Sequence, residues 1–465
     1  MSVFRLQNTL SRDLEEFVPL VAGTARMYTC GPTVYNYAHI GNFRAYVFED
    51  LLRRWLKFKG FRVTQVMNLT DVDDKTIRDS QKAGLPLREF TGKYAQAFFE
   101  DIRALNIEPA EHYPAATDHV PEMIAIIQTL FDKGYAYRSD DGSVYFSIAK
   151  WPAYGRLARL DRDGMRSGVR IASDEYDKEN VADFALWKAW DEKDGAVAWD
   201  SPWGRGRPGW HIECSAMSQK YLGPSFDLHT GGVDNIFPHH EDEIAQSEAA
   251  TGQPFAKYWM HCAHLMVDGQ KMSKSRGNFF TLRDVLARGY TGREVRYELL
   301  ATHYRAPLNF TFGSLDAART ALRRVDEFTA RLAAAAGAPA GPLPGWALAA
   351  ADRFEAALDE DLNVSAALAA LFDSIREGNA VMDAALLTPA DAAAVQALFR
   401  RWDGALGVLE KPAEAVPAAV QALLGRRQAA RAAKEWKQSD ALRDEIAALG
   451  WIVKDTPKGQ TVVRK

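Results

Sequence analysis

The first third of the chain alternates between strand-like and helix-like spacings of hydrophobic residues. The stretch ARMYTC, which ends at Cys30, alternates as a strand does, and apolar residues then recur at helical spacing from Val47 to Trp55 until Gly60 ends the helix. FRVTQVMN predicts the next strand. Residues 25–68 therefore form a strand–loop–helix–strand unit, which favours a parallel sheet.

The pattern continues with helical segments and a small sheet. Helices are predicted at 93–105 and 122–133, DDGSVYFSI predicts half of a small antiparallel insertion, and strand-like and helical segments return from 208 to 310. An Ala/Gly/Pro linker is predicted at 332–345, and Ala-rich helical sequence then extends to about residue 409.

The end of the chain has a different organisation. EKPAEAVP predicts a second linker, two helical patterns follow, and two short alternating runs then flank a Pro-Lys-Gly turn. The expected domains are residues 1–315, with an insertion at about 115–200, residues 316–409, and residues 418–465.

Composition is that of a globular protein in a reducing compartment. The chain has 465 residues, 25% of them charged, and a formal net charge of −4. No run approaches the roughly 18 apolar residues of a membrane span, and the N-terminal segment has no secretory apolar region, so no membrane partner is expected. Three cysteines do not make a disulfide framework, which predicts a cytoplasmic location.

The C-terminal segment is basic. From Arg426 onwards it has ten Lys and Arg residues and five Asp and Glu residues, a net charge of +5, so the rest of the chain is acidic. Such an excess suits a polyanionic partner, and it also suits a solvated helix face.

A phosphate site is predicted where the first strand gives way to the first helix. Neither of the Gly-rich loops G-x-x-x-x-G-K-[ST] and G-x-G-x-x-G follows this first strand, and His39-Ile-Gly-Asn42 occupies the position instead. Free N–H groups and the helix dipole favour phosphate there, Gly41 permits close approach, and His39 can donate to a phosphate oxygen. A lone histidine at a helix start is more often structural.

The segment MVDGQKMSKSRGN, residues 266–278, carries two lysines after a strand-like run and an Asp-Gly turn. Composition alone describes a solvated loop. Alternatively, Lys271 and Lys274 belong to a mobile cationic loop that closes on a triphosphate, since a pyrophosphate leaving group needs nearby positive charge. KMSKS follows HIGN by about 230 residues, and this pairing favours the second interpretation.

A third set of residues combines metal-binding side chains. Cys214 lies in GWHIECS, and His239 and Glu243 lie four residues apart at a predicted helix start, where both can reach one ion. With Cys30 they offer two thiolates, an imidazole and a carboxylate, a mixture that suits zinc. A free cysteine is also commonly a small buried apolar residue, which is the interpretation for Cys262.

The paired signature resembles that of class I aminoacyl-tRNA synthetases. MYTCGPTVYNYAHIGN, MNLTDVDDK, GRPGWHIECSAMS, GGVDNIFPHHEDEIAQS and KMSKSRGN are together similar to the cysteinyl-tRNA synthetase family, and the similarity runs along nearly the whole chain. The resemblance implies an α/β protein with a Rossmann-like, parallel-sheet catalytic domain and its insertion, followed by a helical bundle and a small mixed α/β anticodon-binding unit.

The same resemblance implies an activity and its partners. The expected enzyme is a cysteine–tRNA ligase that activates L-cysteine with ATP to cysteinyl-adenylate and pyrophosphate, and then transfers cysteine to the 3′ end of tRNA(Cys). ATP is expected to act as a substrate together with Mg²⁺, and the protein is expected to be a monomer.

The resemblance also assigns site residues. One zinc ion per chain is expected on Cys30, Cys214, His239 and Glu243. The catalytic positions are His39, Asn42, Lys271 and Lys274. The ATP contacts are His39, Lys274 and, at the ribose, Asp234. The amino-acid pocket is lined by Thr70, Trp210 and His229. The anticodon contacts are Arg431, Trp436, Asp440 and Asp455, although a tryptophan in an amphipathic helix is more often part of a core.

The sequence departs from the class I signature at one position. Asn42 stands where the signature has its second histidine, and because Asn cannot be cationic, more of the phosphate role falls to His39 and the lysines.

Zinc would select the thiol of cysteine over the hydroxyl of serine, which pocket shape distinguishes only about 10- to 200-fold. The insertion is too short for a separate editing domain, which agrees with selection in a single step.

Two alternatives remain at this stage. The ligase that joins cysteine to an amino-sugar pseudodisaccharide in mycothiol synthesis resembles the catalytic region but does not need the basic C-terminal unit. A catalytically inactive RNA-binding relative is the other alternative, and an intact KMSKS with four candidate metal ligands disfavours it.

Overall fold

The structure, a computed structural model, describes residues 3–160, 170–171, 183–273, 276–411, 417–456 and 459–464. The chain forms two compact units, Met1–Glu410 and Lys411–Lys465. Strands β1 to β16 span Arg5–Gln7, Leu14–Glu16, Thr24–Thr29, Arg62–Met67, Ala136–Arg138, Val144–Phe146, Arg170–Ile171, Asp183–Ala189, Gly206–Pro208, Phe226–Gly232, Ala256–Cys262, Leu265–Val267, Gln270–Lys271, Leu308–Phe310, Trp451–Thr456 and Gly459–Arg464.

Helices α1 to α14 alternate with these strands in the first unit and predominate later in the chain. They span Ile40–Phe58, Asp74–Ala83, Leu87–Ala104, Val120–Asp132, Trp210–Leu222, Glu241–Thr251, Leu282–Ala287, Gly292–Ala301, Phe312–Ala335, Gly345–Asp359, Val364–Asp383, Pro389–Leu406, Ala418–Ala432 and Trp436–Ala448. None of the helices in the described parts of the chain is both long and apolar enough to cross a membrane.

A four-stranded parallel sheet with the order β11-β10-β3-β4 organises the first unit. The chain proceeds from β3 outwards to β4 and later from β10 outwards to β11, so the strand order reverses between the adjacent strands β3 and β10. In open α/β sheets, ligands bind outside the carboxyl ends of the strands at such a reversal. The predicted parallel sheet is confirmed. Its strand order predicts a ligand site beside the segments that follow β3 and β10.

Both faces of this sheet are buried. Met27 and Leu228 contribute to a large core that α1, α8 and the later helices complete, whereas Tyr28 and Phe226 belong to a second core with α4, α5 and α6. Adjacent residues of one strand thus face different cores, as the period-2 geometry of a strand requires. Helices cover both faces, which is the doubly wound arrangement expected of a Rossmann-like domain.

The insertion and the end of the unit complete the fold. Strands β5, β6, β8 and β9 pair antiparallel, with β7 parallel to β8, which includes the small antiparallel element predicted from DDGSVYFSI. The linker predicted at 332–345 begins too early, because α9 continues to Ala335 and Leu332 is fully buried. Alanine is the strongest helix former, so this Ala-rich run extends the helix.

The predicted boundary between residues 315 and 316 lies inside α9, which begins at Phe312. The second predicted linker lies largely at 412–416, outside the described residues. In the second unit, α13 and α14 precede the antiparallel pair β15–β16, as predicted, around a small core that includes Val420, Ile446 and Trp451.

Candidate active site and metal centre

His39 caps the helix that begins the phosphate site. It precedes α1 in an extended conformation, and its Nδ1 accepts a hydrogen bond of 3.2 Å from the backbone N–H of Asn42. The Asn42 side chain returns a bond, since its Oδ1 accepts from the backbone N–H of His39 at 3.1 Å. This reciprocal capping box gives Asn42 a structural task that needs no charge. Because Nδ1 is an acceptor, the proton of a neutral His39 ring resides on Nε2.

The two signature segments are in direct contact. The backbone N–H of Ile40 donates to the carbonyl of Phe280 at 3.0 Å, and His39 pairs with Thr281 in an antiparallel bridge. The Met272 side chain lies beside Gly41, where an added Cβ would come within 3.2 Å of the Met272 Cε. Residues far apart in sequence therefore share one edge of the site.

The lysine loop extends from a tight hairpin. Strands β12 and β13 pair through a two-residue turn at Asp268 and Gly269, both with positive φ, as a type I′ turn requires. The Asn278 side chain closes the base of the loop, since its Oδ1 accepts from the Ser273 N–H at 2.8 Å and its Nδ2 donates to the Lys271 carbonyl at 3.3 Å. Lys274 lies outside the described residues.

A cavity of about 600 Å³ opens at the reversal point of the sheet. Its lining includes Cys30 after β3, Asp234 after β10, and His39, Asn42 and Lys271 from the two signature segments. It is large enough for a nucleotide, and its residues include helix N–H groups, an imidazole and a cationic side chain that suit phosphate.

The four candidate metal ligands come together at the floor of the sheet's carboxyl edge. Cys30 follows β3, Cys214 lies in α5, His239 precedes α6 and Glu243 is in its first turn. One ligand atom from each lies within 4.8 Å of the others, and His239 Nε2 is 2.8 Å from Glu243 Oε1. Cys214, His239 and Glu243 are buried and Cys30 is half-buried. Of these four, Cys30 also lines the cavity, so it joins the two sites.

The cluster is electrostatically unusual. Burial raises the pKa of the Cys30 thiol well above its ordinary value. Burial opposes ionisation at Cys214 too, but its hydrogen bond with Cys30 and the neighbouring His239 lower its pKa to about 6. Burial likewise would raise the pKa of Glu243, yet His229 and His239 lower it to about 2. Buried anionic donors of this kind are what a divalent cation needs.

A second combination of donors overlaps the first. Cys30, His229, His240 and Glu243 also place ligand atoms within 4.8 Å of one another. Cys30 Sγ lies 3.2 Å from His240 Nε2, and His229 Nε2 lies 2.8 Å from Glu243 Oε2. His240 was not predicted, although it is the second histidine of the same PHHED segment, because its spacing alone does not show that it meets Cys30.

Neighbouring side chains support His239. His211 Nδ1 lies 2.9 Å from His239 Nδ1, and His211 Nε2 is 3.3 Å from Asp242 Oδ2. Tyr154 donates a hydrogen bond to the other carboxylate oxygen of Asp242. Trp210 stacks on His239 with ring centroids 4.3 Å apart. Such supporting groups fix the orientation of a ligating imidazole. His211 and Asp242 also lie within the quoted motifs, but nothing in their spacing distinguished them.

The other predicted pocket residues occupy different environments. Thr70 is buried, and its hydroxyl accepts a hydrogen bond of 3.1 Å from the Asn68 side chain. His229 is fully buried in β10, where it stacks on Trp259 and pairs with the candidate ligand Glu243. The structure thus brings His229 and Trp210 to the cluster of candidate metal ligands, whereas Asp234 lines the cavity of about 600 Å³.

Gly31 holds the junction between these two regions. A Cβ built at this position would lie 1.7 Å from the Asn68 carbonyl oxygen, which no rearrangement of side chains can relieve. The backbone N–H of Gly31 donates a hydrogen bond to Asn68 Oδ1 at 2.8 Å, and the backbone N–H of Cys30 donates one to the Thr230 carbonyl at 3.3 Å. The chain carrying Cys30 is therefore fastened to the ends of both neighbouring strands.

In the C-terminal unit, three of the four predicted anticodon residues form a row. Asp455 in β15 pairs with Arg431 in α13 at 3.2 Å, and the Arg431 guanidinium lies 5.9 Å from the centre of the Trp436 ring. Trp436 is 58% exposed, which excludes its interpretation as a core residue. Asp440 is also exposed, one turn after Trp436 along α14.

Comparisons with known proteins give matches to one kind of enzyme along nearly the whole chain. The family described as "tRNA synthetases class I (C) catalytic domain" matches residues 16–320, the "DALR domain" matches residues 353–410, and the "Cysteinyl-tRNA ligase anticodon binding domain" matches residues 413–462. A cysteine–tRNA ligase of Protochlamydia amoebophila is 51% identical over 461 residues, covering 98% of this chain and 96% of the relative. One from Chlamydia caviae is 51% identical over 462 residues, with coverage of 98% and 97%.

Solved structures show the same fold at low identity. A leucyl enzyme (LeuRS) of Agrobacterium radiobacter, in a ternary complex with tRNA, superposes with a TM-score of 0.61 at 13% identity, covering 84% of this chain and 85% of that one. The methionyl-tRNA synthetase of Mycobacterium tuberculosis superposes with a TM-score of 0.57 at 15% identity, covering 82% and 89%.

Proposed function

This chain belongs to the cysteinyl-tRNA synthetase family, and on that premise we propose how its residues divide the work of a cysteine–tRNA ligase. The enzyme activates L-cysteine with ATP to give cysteinyl-adenylate and pyrophosphate, and then transfers cysteine to the 3′ end of tRNA(Cys). The observation that carries the proposal is the junction at Cys30, where a buried donor cluster meets a nucleotide-sized cavity. One small substrate can thus have its side chain in the cluster and its carboxylate beside the phosphates.

We propose that the cavity binds ATP, with its Mg²⁺, through the two signature segments. His39 Nε2 would donate to a phosphate oxygen, because Nδ1 is engaged by the helix, and the N-terminus of α1 adds its N–H groups. Lys271 and Lys274 would stabilise the charge that grows as pyrophosphate departs. Asn42 would act by holding His39, and Asp234 by holding the ribose.

The donor cluster fits zinc. Two thiols, an imidazole and a carboxylate are the groups that zinc selects; here three of the four are buried, and their ligand atoms lie within 4.8 Å of one another. Cys30, Cys214, His239 and Glu243 would hold the ion, while Trp210, Thr70 and His229 would shape the surrounding pocket. When bound, zinc supplies an affinity for a thiolate that the hydroxyl of serine does not match.

We propose that the unit from residue 418 reads the anticodon through the exposed row of Arg431, Trp436 and Asp455, together with Asp440. Single-stranded bases are recognised by aromatic faces and by polar groups on their edges. The catalytic region would then comprise residues 1–315 and the helical bundle residues 316–409. We also propose that the enzyme is a cytoplasmic monomer; its sparse, free cysteines suit a reducing compartment.

The decisive experiment is aminoacylation of purified tRNA(Cys) with cysteine, with serine and a tRNA-free reaction as controls. Charging that depends on cysteine and ATP is the expected result. Ligation of cysteine to an amino sugar without tRNA charging would favour the mycothiol-type enzyme, and neither activity would indicate an inactive RNA-binding relative.

The role of the lysine loop has its own test. Lys274→Ala should lower kcat for cysteine-dependent pyrophosphate exchange much more than it raises KM for cysteine, because the charge acts when pyrophosphate leaves. Normal turnover in this variant would contradict the assignment of Lys274.

A further inference from the structure

Arg427 is a buried cation in the C-terminal unit that no predicted site includes. Its side chain is 1% exposed, and the other buried residues of α13, Val420 and Ala430, are apolar. An arginine is rarely buried unless it is paired, so its partners show what it does.

Those partners lie on both strands of the hairpin. Arg427 Nη1 and Nη2 bind the two oxygens of Asp455 at 2.9 and 3.0 Å, which is a bidentate pair. Nη1 also donates to the Gln460 side chain in β16 at 2.7 Å, and Gln460 donates in turn to the carbonyl of Leu424 at 2.5 Å. One guanidinium therefore ties α13 to β15 and β16.

The bidentate pair holds the carboxylate of Asp455, which is partly exposed. Asp455 is 45% exposed, and its Oδ2 also accepts a hydrogen bond from Arg431, which is 42% exposed and lies beside Trp436. The hydrogen bonds from Arg427 also hold the pKa of Asp455 below its ordinary value, so this carboxylate remains a hydrogen-bond acceptor. A planar guanidinium with two bonds fixes the plane of a carboxylate, which a single ammonium contact does not do.

We propose that Arg427 is a positioning residue for anticodon recognition: it touches no RNA, and it sets the orientation of the Asp455 carboxylate and, through it, of Arg431. The proposal rests on the proposed role of Asp455 and Arg431 in binding the anticodon. Replacing Arg427 would then weaken RNA recognition, although Arg427 itself is buried inside the unit.

The test is the steady-state charging of tRNA(Cys) by full-length variants. Arg427→Lys keeps the charge but cannot form the bidentate pair, so KM for tRNA should rise about tenfold, equal to about 1.4 kcal/mol, with kcat and cysteine-dependent pyrophosphate exchange unchanged. Arg426→Lys, an exposed neighbour on the same helix, should change KM for tRNA less than twofold. An unchanged KM in Arg427→Lys would overturn the proposal.

A double-mutant cycle separates positioning from general structure. If Arg427 acts through Asp455, Arg427→Lys added to Asp455→Asn should raise KM no further than Asp455→Asn alone, whereas additive effects would overturn the proposal. If Asp455→Asn by itself leaves KM unchanged, the proposed anticodon role of this row is wrong. That outcome is distinct from an effect of Asp455→Asn without one of Arg427→Lys, which would reject only the positioning role.

Thermal unfolding of each variant checks that the unit is folded. Should Arg427→Lys unfold it, Gln460→Leu provides a milder change, because it removes one partner of Arg427 and leaves the ion pair. We then expect KM for tRNA to rise two- to threefold, about the loss of one modest hydrogen bond, and an unchanged KM would reject the proposal.

Discussion

Glu49 carries a carboxylate that is fully buried in α1 and is satisfied mainly by one hydroxyl. Thr230 in β10 donates to it at 3.1 Å. Burial raises the pKa of Glu49 from 4.5 to about 8, and the Thr230 hydrogen bond only partly opposes this. The group is therefore neutral in the folded protein over a pH range in which it is ionised in the unfolded chain.

This difference predicts a pH dependence of stability. Between pH 4.5 and about 8 the folded state holds a proton that the unfolded state has lost, so the free energy of unfolding should fall as pH rises, by up to about 1.4 kcal/mol per pH unit. Glu49→Gln keeps the shape of the side chain but cannot ionise. The variant should therefore be more stable than the wild type at pH 8 but not at pH 5. Urea unfolding at both pH values measures this, and parallel changes in the two proteins would contradict it.

Cys214 supports a second prediction at this scale. Replacing its thiol with a hydroxyl in Cys214→Ser should abolish stoichiometric zinc, measured by elemental analysis, because serine does not supply a thiolate. Discrimination against serine should fall to the roughly 10- to 200-fold that shape provides, while ATP binding should persist. Cys262→Ser is the matched control, since Cys262 is buried outside the cluster. Retention of metal in Cys214→Ser would remove Cys214 from the ligand set.

At the scale of elements, α1 links the active site to the rest of the unit. It begins at the capping box of His39 and, three turns later, presents Asp50 to Arg296 of α8 and to Arg54, at 2.5 and 2.7 Å. Arg296 is fully buried and also donates to the carbonyl of Leu406 at the end of α12. One ion pair thus joins α1, α8 and α12.

Removing the anion should be costly. Asp50→Asn leaves Arg296 buried without its counter-charge, so the free energy of unfolding should fall by about 3–5 kcal/mol. Asp316→Asn breaks an exposed pair with Arg319 and should cost less than about 1 kcal/mol. Thermal and urea unfolding compare them, and similar losses in the two variants would show that the Asp50 pair does not stabilise the unit as proposed.

The elements also show what the sequence could predict. The strand ending before Cys30, the helix after His39 and the Asp-Gly turn follow local patterns, so they were predicted close to their observed positions. The capping role of Asn42 and the contact between Met272 and Gly41 depend on tertiary geometry, which no spacing reveals. For the same reason His240 and Arg427 were missed: their partners lie on other elements.

For the whole molecule, the two compact units separate the proposed chemistry from the proposed anticodon recognition. The cavity and donor cluster lie in the unit that ends at Glu410, and the basic segment from Arg426 lies in the other. Arg296 links α1, α8 and the end of α12 within this first unit.

A chain that ends at Glu410 should therefore retain cysteine-dependent pyrophosphate exchange within about twofold, whereas tRNA charging falls. The salt dependence of charging should become flatter, because fewer phosphate contacts release fewer counterions. Charging kinetics between low and moderate salt measure both effects. Full charging by the shortened chain would show that the C-terminal unit does not contact RNA.

Gly31 has a consequence for how the sequence of this enzyme can vary. It binds no ligand and has no side chain, yet any Cβ there meets the Asn68 backbone and displaces Cys30 from both strand ends. In a library of all single substitutions selected for growth, position 31 should be as depleted as a metal ligand, and no change at Asn68 can restore it, because the clash is with a main-chain oxygen. The tolerance of a site to mutation is here set by backbone spacing rather than by chemistry.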